Sequence, residues 1–132
     1  MAQLKCVVVT PESTALDQEA KFVAVPLYDG ELGIGVGHSP MIGRLGFGEL
    51  RIVTTDGKTI RYYVDGGFVQ VADNTVSLLT QRCVLAEKLD KNSIDTALSE
   101  AMKRPVHTDE LLETREKLVQ QARAQLAVLR RS

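Results

Sequence analysis

Residues 75–104 read TVSLLTQRCVLAEKLDKNSIDTALSEAMKR, and the spacing of their apolar side chains changes near Leu85. Up to that point, apolar and β-branched residues come in short runs that favour strands. Beyond it, apolar residues recur every three or four positions, which is typical of one face of a helix. Glycine follows the same division, since all ten glycines lie within residues 1–85. The chain is therefore predicted to contain two differently built domains, residues 1–85 and residues 86–132.

The first domain is predicted to consist of short antiparallel strands. Residues that tolerate positive φ separate the runs, notably at Asp56-Gly57 and Asp73-Asn74. After Pro40, the glycine-rich segment 43–48 is expected to break regular structure. The expected architecture is a β-sandwich whose strands pair mainly with their neighbours in sequence. The predicted strands cover residues 4–10, 21–27, 50–55, 59–65, 68–72 and 75–84.

The second domain is predicted to be an antiparallel pair of helices. Ser93 can cap a first helix, and Pro105 stops that helix after Arg104. Thr108 can cap a second helix, and the short connection 105–107 would join the two as a hairpin. The fold class is therefore α+β, an N-terminal antiparallel β-sandwich followed by a C-terminal two-helix hairpin. The polar run before the first helix is a candidate hinge, carried by Glu87, Lys88 and Asp90.

Charge and hydropathy exclude several classes of function. The 132 residues carry 16 basic and 17 acidic side chains, and this balance argues against a nucleic-acid binder or a protein held on an anionic membrane. No stretch is apolar enough to span a membrane, and the polar start lacks the apolar core of a signal peptide, so a cytosolic protein is expected. Cys6 and Cys83 lie far apart in apolar segments, which favours buried free thiols over a disulfide or a metal site.

No motif in the sequence points to catalysis. The segment GIGVG at 33–37 is similar to a dinucleotide-binding loop, but no helix follows it to face a pyrophosphate. His38 and His107 are the only histidines, and no nucleophile is spaced to form a triad or a metal cage with them. Carboxylates near turns, such as Glu49, are expected to be solvated. We therefore predict a non-catalytic interaction protein without a metal or a cofactor.

The end of the second helix is basic, and two interpretations of this pattern remain open. The arginines can match the helix dipole and keep the surface soluble. They can also meet an acidic partner, because a guanidinium makes two-atom contacts with carboxylates. The residues concerned are Arg123, Arg130 and Arg131.

A set of short segments follows a distinctive order along the first domain. They are VVTPE at 8–12, GELGI at 30–34, GHSPMI at 37–42, GELRI at 48–52, GGFV at 66–69 and NTV at 74–76. In order and spacing they resemble the epsilon subunit of F-type ATP synthase, and the helical remainder is similar in length and layout. The resemblance implies a β-sandwich with a helical hairpin. It also implies a non-catalytic place in the central stalk, coupling proton-driven rotation of the membrane c-ring to ATP synthesis.

The resemblance further implies partners for each domain. The sandwich would dock on the gamma subunit and on the c-ring, peripherally at the cytoplasmic face of a bacterial inner membrane. Folded against the sandwich, the hairpin would permit ATP hydrolysis; extended into the headpiece, it would block rotation. The arginines at 123, 130 and 131 would then face an acidic loop of the beta subunit. The family's ring-facing loops map onto Glu31, His38, Ser39, Pro40, Met41 and Ile42.

Two positions depart from the family pattern. Val36 replaces the proline of the usual Leu-Pro-Gly-His, so we expect a less stiff ring-facing loop. Some members bind ATP through an Ile/Leu-Asp-x-x-Arg motif, and here Ile94-Asp95 is followed by Leu98 in place of the arginine. We therefore expect no tight ATP binding.

Two other classes fit parts of the pattern. A free-standing β-sandwich binding module with a dimerising helical tail would explain the composition, though not the ordered segments. A small hydrolase with catalytic groups assembled in space is disfavoured by the lack of a nucleophile and base at suitable spacing.

Overall fold

The computed structural model describes residues 3–131, which divide into two compact units after Leu85. The first unit contains the strands β1 (Leu4–Val9), β2 (Thr14–Ala20), β3 (Phe22–Leu27), β4 (Gly30–Gly35), β5 (Met41–Val53), β6 (Thr59–Ala72), β7 (Thr75–Leu79) and β8 (Cys83–Leu85). The second unit contains a 3-10 turn (Ala86–Lys88) and the helices α1 (Lys91–Met102) and α2 (Asp109–Arg130). Neither helix has the length and apolar character needed to cross a bilayer.

The strands of the first unit form one sandwich-like sheet. Its order is β2-β1-β7-β6-β5-β3-β4, and β8 pairs with β6 beside this path. A single apolar cluster draws on each strand from β1 to β7. The predicted fold class, a β-sandwich followed by two helices, is confirmed. The expectation of antiparallel strands does not hold for one pair, since β1 and β7 run parallel. The chain between these two strands is long, and such a connection, unlike a tight hairpin, permits parallel neighbours.

Two edge strands, β2 and β4, fall outside the predicted ones, and β5 runs without a break through the glycine-rich segment 43–48. The glycines there leave room for the neighbouring strand. A Cβ at Gly46 would lie 3.0 Å from the carbonyl oxygen of Leu27, and one at Gly48 would lie 3.0 Å from the Cβ of Pro26. The prediction of a break was wrong because close approach of β3, rather than a turn, requires glycine at these positions.

A bend within β6 lets this strand pair with two different neighbours on one side. Residues 62–64 pair with β8, whereas residues 68–72 pair with β7. Between them lies Gly67, whose φ of +106° falls in the region that favours glycine. A Cβ at this position would lie 1.8 Å from the carbonyl oxygen of Leu79. Only glycine fits, so Gly67 fixes the point where β6 passes from β8 to β7.

The helices of the second unit are defined by their N-caps. The cap of α1 is Asp90, whose carboxylate accepts a hydrogen bond from the backbone N–H of Asn92 at 3.2 Å. The prediction of Ser93 as the cap was wrong, because its hydroxyl donates to the Asp90 carboxylate at 2.7 Å. The prediction of Thr108 as the cap of α2 is confirmed, and its Oγ1 accepts from the Leu111 N–H at 3.1 Å.

The two helices are separate elements that contact each other. Residues 103–108 between them include Pro105, as the sequence predicted. The candidate hinge residues occupy ordered positions: Glu87 and Lys88 lie in the 3-10 turn, and Asp90 is the cap of α1. Their role as a hinge stays a prediction.

Candidate functional site

The residues predicted to face the c-ring fall at both ends of β4. Glu31 is the second residue of β4, whereas His38 follows the end of that strand. Glu31 lies four steps along the strand from Gly35, or about 13 Å of extended chain. The structure therefore does not bring Glu31 together with the loop at 38–40. Met41 and Ile42 open β5 on the far side of that loop.

The loop between β4 and β5 is fixed by hydrogen bonds to the rest of the sheet. The N–H of Gly37 donates to the side-chain oxygen of Asn74 at 2.7 Å, and the N–H of His38 donates to the carbonyl of Gly35 at 3.2 Å. Asn74 lies in the turn between β6 and β7, with a positive φ of 60°. These bonds connect two turns at one end of the sheet and restrain the loop that follows Val36.

Glu31 belongs to a chain of four alternating charges that the sequence interpretation missed. The Arg51 guanidinium donates to both Glu31 oxygens, at 3.3 and 3.2 Å, and also to Glu49 at 3.4 Å. Glu49 in turn accepts from the Nε of Arg61 at 2.9 Å. The expectation that Glu49 is solvated was wrong, since its side chain is only 3% exposed. Its position in β5 opposite β6, rather than in a turn, accounts for this burial.

Three exposed apolar residues, here called the apolar row, lie on the outer face of β5, β6 and β7. Ile42 is diagonal to Phe68, because its direct partner on β6 is Gln70 and the partner of Phe68 on β5 is Arg44. Ile42, Phe68 and Leu79 are 76%, 57% and 56% exposed. Phe68 and Leu79 are direct cross-strand partners, and their neighbours along the strands, Val69 and Leu78, are buried on the other face. Exposed large apolar side chains that cluster in this way mark surfaces that bind other proteins.

A shallow groove of about 330 Å³ begins at this apolar row. Phe68-Val69 and Leu78-Leu79 are consecutive apolar residues, so no polar and apolar alternation in the sequence separates the exposed members from the buried ones. The residues that line the groove are Val9, Thr10, Pro11, Gly67, Phe68, Leu79, Thr80 and Gln81.

The second unit carries its own groove, of about 580 Å³, between α1 and α2. Arg123 and Arg130 both line it, so the structure brings two of the three predicted basic residues together. Arg131 is the C-cap of α2 and does not line this groove. Lys91 adds a third positive charge and pairs with Asp95 at 3.1 Å. The remaining lining residues are Leu98, Leu126 and Leu129.

Leu98 thus lines the same groove as Asp95 and Arg123. An arginine at this position would put a further cation into the groove, and leucine gives it an apolar wall instead. The absence of tight ATP binding stays a prediction.

The cysteines and histidines, which all lie within the described residues, are separated or buried. Cys6 is buried and Cys83 is half-buried, and burial raises the pKa of the two thiols to about 12 and about 11. Both are thus protonated and unreactive at neutral pH. His38 and His107 lie in different units. Within residues 3–131, no group of His, Cys, Asp or Glu side chains is placed to hold a metal ion.

Comparison with known proteins assigns this architecture to a family. Residues 3–86 match the family described as "ATP synthase, Delta/Epsilon chain, beta-sandwich domain". The ATP synthase epsilon chain of Rhodopirellula baltica is 49% identical over 127 residues, which cover 96% of this chain and 98% of that protein. The chain belongs to the ATP synthase epsilon chain family. A second epsilon chain, from Symbiobacterium thermophilum, is 35% identical over 98% of this chain and 88% of its own length.

Solved ATP synthases contain chains with the fold seen here. One is in the cryo-EM structure of the Euglena gracilis mitochondrial enzyme, OSCP/F1/c-ring in rotational state 1. It has a TM-score of 0.87 at 23% identity, over 98% of this chain and 82% of that one. Another is in the central stalk/c-ring structure of the Tetrahymena thermophila enzyme, with a TM-score of 0.69 at 14% identity, over 97% of both chains. These similarities show a common fold.

Membership in the epsilon chain family confirms the recognition made from the ordered segments. The chain is a non-catalytic subunit of ATP synthase, a membrane-associated complex. Because the match to complete epsilon chains extends over nearly the whole sequence, neither a free-standing binding module nor a small hydrolase is supported. The individual docking and regulatory residues are not distinguished by this membership.

Proposed function

We propose that the chain couples ion-driven rotation of the c-ring to ATP synthesis by holding the ring and the gamma subunit together. The sandwich is the docking block, and the whole chain sits peripherally at the cytoplasmic face of a bacterial inner membrane. The observation that carries this proposal is the exposed apolar row on the β domain, in a chain that belongs to the epsilon chain family.

The ring contact is assigned to Glu31 and to the loop and strand start at His38, Ser39, Pro40, Met41 and Ile42. Torque is transmitted only through a contact that does not yield. The bond of Gly37 to Asn74 and the pairing of Glu31 with Arg51 both restrain this region, which supports the assignment.

The gamma subunit is assigned to the apolar row defined by Ile42, Phe68 and Leu79. Burial of apolar area on docking is worth roughly 25 cal/mol per Å² before the cost of association. Ile42 belongs to both assigned surfaces, so the gamma contact and the ring contact would be continuous along β5.

The hairpin is assigned an inhibitory role in ATP hydrolysis. In the extended state it would enter the headpiece, where Arg123, Arg130 and Arg131 would face an acidic loop of the beta subunit. Both the short 3-10 turn at residues 86–88 and the Asp90 cap are local structures that can re-form after a change in direction of the chain. Two states that differ by only a few kcal/mol are sufficient for a switch.

The proposal is tested by ending the chain after Leu85 in the assembled enzyme. We expect the truncated subunit to assemble with the stalk, because the apolar cluster of the sandwich is formed within residues 4–78. We expect ATP hydrolysis by the complex to rise. Co-purification with the gamma subunit and the hydrolysis rate are the two measurements. Normal assembly with unchanged hydrolysis would remove the inhibitory role, and failure of the full-length chain to co-purify with stalk subunits would contradict the docking role itself.

A further inference from the structure

The alternating charges Glu31, Arg51, Glu49 and Arg61 extend across the sheet from its edge strand β4 to β6. The order of strands here is β4-β3-β5-β6, so Arg51 must reach over β3 to contact Glu31. The residue of β3 that pairs with Arg51 is Ala24, which also pairs with Gly33 of β4. Ala24 carries only a methyl group, so the long arginine side chain can cross β3 at this position, beside the ring of Phe22 that covers Gly33.

Arg51 is fixed from its inner side before it meets Glu31. Glu49 is almost fully buried, and a buried carboxylate needs charged or hydrogen-bonding partners. It has two arginines, Arg61 at one oxygen and Arg51 at the other. The guanidinium of Arg51 is therefore anchored to the sheet by a group that cannot turn away into solvent.

Glu31 is held from one side only. Its carboxylate is about half-exposed and receives two N–H donors from Arg51, at 3.2 and 3.3 Å. An isolated surface ion pair contributes little, because both long side chains lose conformational freedom. Here Glu49 already holds the arginine side chain in place. Less conformational entropy is therefore lost when Glu31 pairs with it. The hydrogen bond to Glu31 is also the main cause that raises the pKa of Arg51.

We propose that Arg51 is a positioning residue for docking, which fixes the carboxylate of Glu31 in the orientation that contacts the c-ring. This inference rests on the proposed function, in particular on the assignment of Glu31 to the ring contact. Arg51 acts through Glu31, because its guanidinium is occupied by Glu31 on one side and by Glu49 on the other.

The test is a double-mutant cycle on the full-length chain in the assembled enzyme. ATP synthase depleted of its epsilon chain is titrated with wild-type chain or with the variants Glu31→Gln, Arg51→Gln and the double variant. The quantity measured is the chain concentration that restores half-maximal ATP-driven ion pumping. We expect each single variant to raise this concentration by about three- to fivefold, and the double variant to be no weaker than Glu31→Gln alone.

Thermal unfolding of the same variants separates positioning from a merely structural role. Arg51→Gln removes one partner of buried Glu49 and should lower the midpoint in both backgrounds. The effect of Arg51→Gln on docking should disappear in the Glu31→Gln background. Arg51→Lys keeps a positive charge beside Glu49 without the two-atom fork, so we expect a smaller loss of docking than with glutamine. This variant also provides the test if Arg51→Gln folds poorly.

A matched control comes from the opposite edge of the sheet. Lys5 and Asp17 form an exposed ion pair at 3.4 Å between β1 and β2. Lys5→Gln and Asp17→Asn should leave the half-maximal concentration within about twofold of wild type.

Three results would contradict the proposal, and they are distinguishable. If Arg51→Gln weakens docking equally in the Glu31→Gln background, then Arg51 acts independently of Glu31. Tighter docking by Arg51→Gln would mean that the pair holds Glu31 away from the ring. If Glu31→Gln docks normally while wild type restores pumping, the positioning role and the ring assignment of Glu31 both fail. A wild-type chain that restores no pumping would instead contradict the proposed function.

Discussion

The sandwich and the hairpin are stabilised in different ways. In the sandwich, fully buried side chains from β1 to β7 form one apolar cluster, and each strand is held by neighbours distant in sequence. In the hairpin, few of the described residues are buried, and each helix begins at a side chain that caps its own first turn. The first unit therefore depends on packing between strands distant in sequence, whereas in the second the capping hydrogen bonds are local to each helix.

This difference matches the roles proposed for the two units. A docking block must keep its surface fixed under load, and cooperative burial of a shared core provides that rigidity. A regulatory arm must change its contacts at low cost, which is easier when each helix is defined by local caps. Substitutions of equal size should therefore have unequal consequences in the two units.

The largest effect is expected at Gly67 in the sandwich. Gly67→Ala places a Cβ 1.8 Å from the Leu79 carbonyl oxygen, so β6 or β7 must move. The left-handed φ adds about 1–2 kcal/mol of strain. We expect the free energy of unfolding to fall by about 3 kcal/mol or more, measured by urea denaturation of the full-length chain.

Gly57 provides the matched control for this substitution. It also has a positive φ, of 88°, but a Cβ there would meet no atom within 4 Å. Gly57→Ala should therefore lose only the conformational contribution, about 1 kcal/mol. Equal losses at Gly57 and Gly67 would mean that β6 and β7 separate without cost, and the sandwich would not be the rigid unit described above.

The fold class could be predicted from the sequence because the two apolar periods are local signals. What could not be predicted depends on neighbours distant in sequence. Strands β2 and β4 lie at the edges of the sheet, where mostly exposed side chains such as Asp17 and Glu31 weaken the pattern of a buried strand. Similarly, in the sequence alone Gly46 is typical of a turn. Only the fold shows that the backbone of Leu27 packs against it.

The same limit applies to the candidate site. The ordered segments indicated Glu31, but Arg51 and Glu49 become its supports only when β4, β3 and β5 are aligned in register. The charged residues at 49, 51 and 61 lie on one face of two paired strands. Their alternate spacing along the strands was the signal available in the sequence. The apolar surface at Phe68 was missed for a related reason, because the faces of β6 are defined only by their pairing with β7.

An intermediate effect is expected at the cap of α2. Thr108→Ala removes the oxygen that accepts from the Leu111 N–H and should destabilise the start of this helix by about 1 kcal/mol. Hydrogen exchange at Leu111 should accelerate about fivefold, while exchange in the sandwich, for example at Val64, should not change. Thr96→Ala, at an exposed site inside α1, is the control; it raises helix propensity slightly and should not accelerate exchange at Leu111. Faster exchange at Val64 would show that the sandwich depends on this cap.

The smallest effect is expected from acid, and it compares one aspartate in each unit. The Ser93 hydroxyl lowers the pKa of Asp90 in the hairpin, and the Thr54 hydroxyl lowers the pKa of Asp56 in a turn of the sandwich. A carboxylate whose pKa is lower in the folded state adds stability above its unfolded pKa, near 3.8. That contribution is lost as the pH falls through the folded value.

Asp90→Asn and Asp56→Asn should therefore differ from wild type at pH 7 and approach it as the pH falls below about 4. Helical circular dichroism reports the hairpin, and exchange at the β5–β6 amides reports the sandwich. We expect Asp90→Asn to change only the helical signal, because its carboxylate bonds to the first turn of α1 alone. Asp56→Asn should change only the exchange at the β5–β6 turn, where the partner of the aspartate is Thr54. If either variant altered both signals, the two units would share a common response to acid, and local caps would not be sufficient to describe the hairpin.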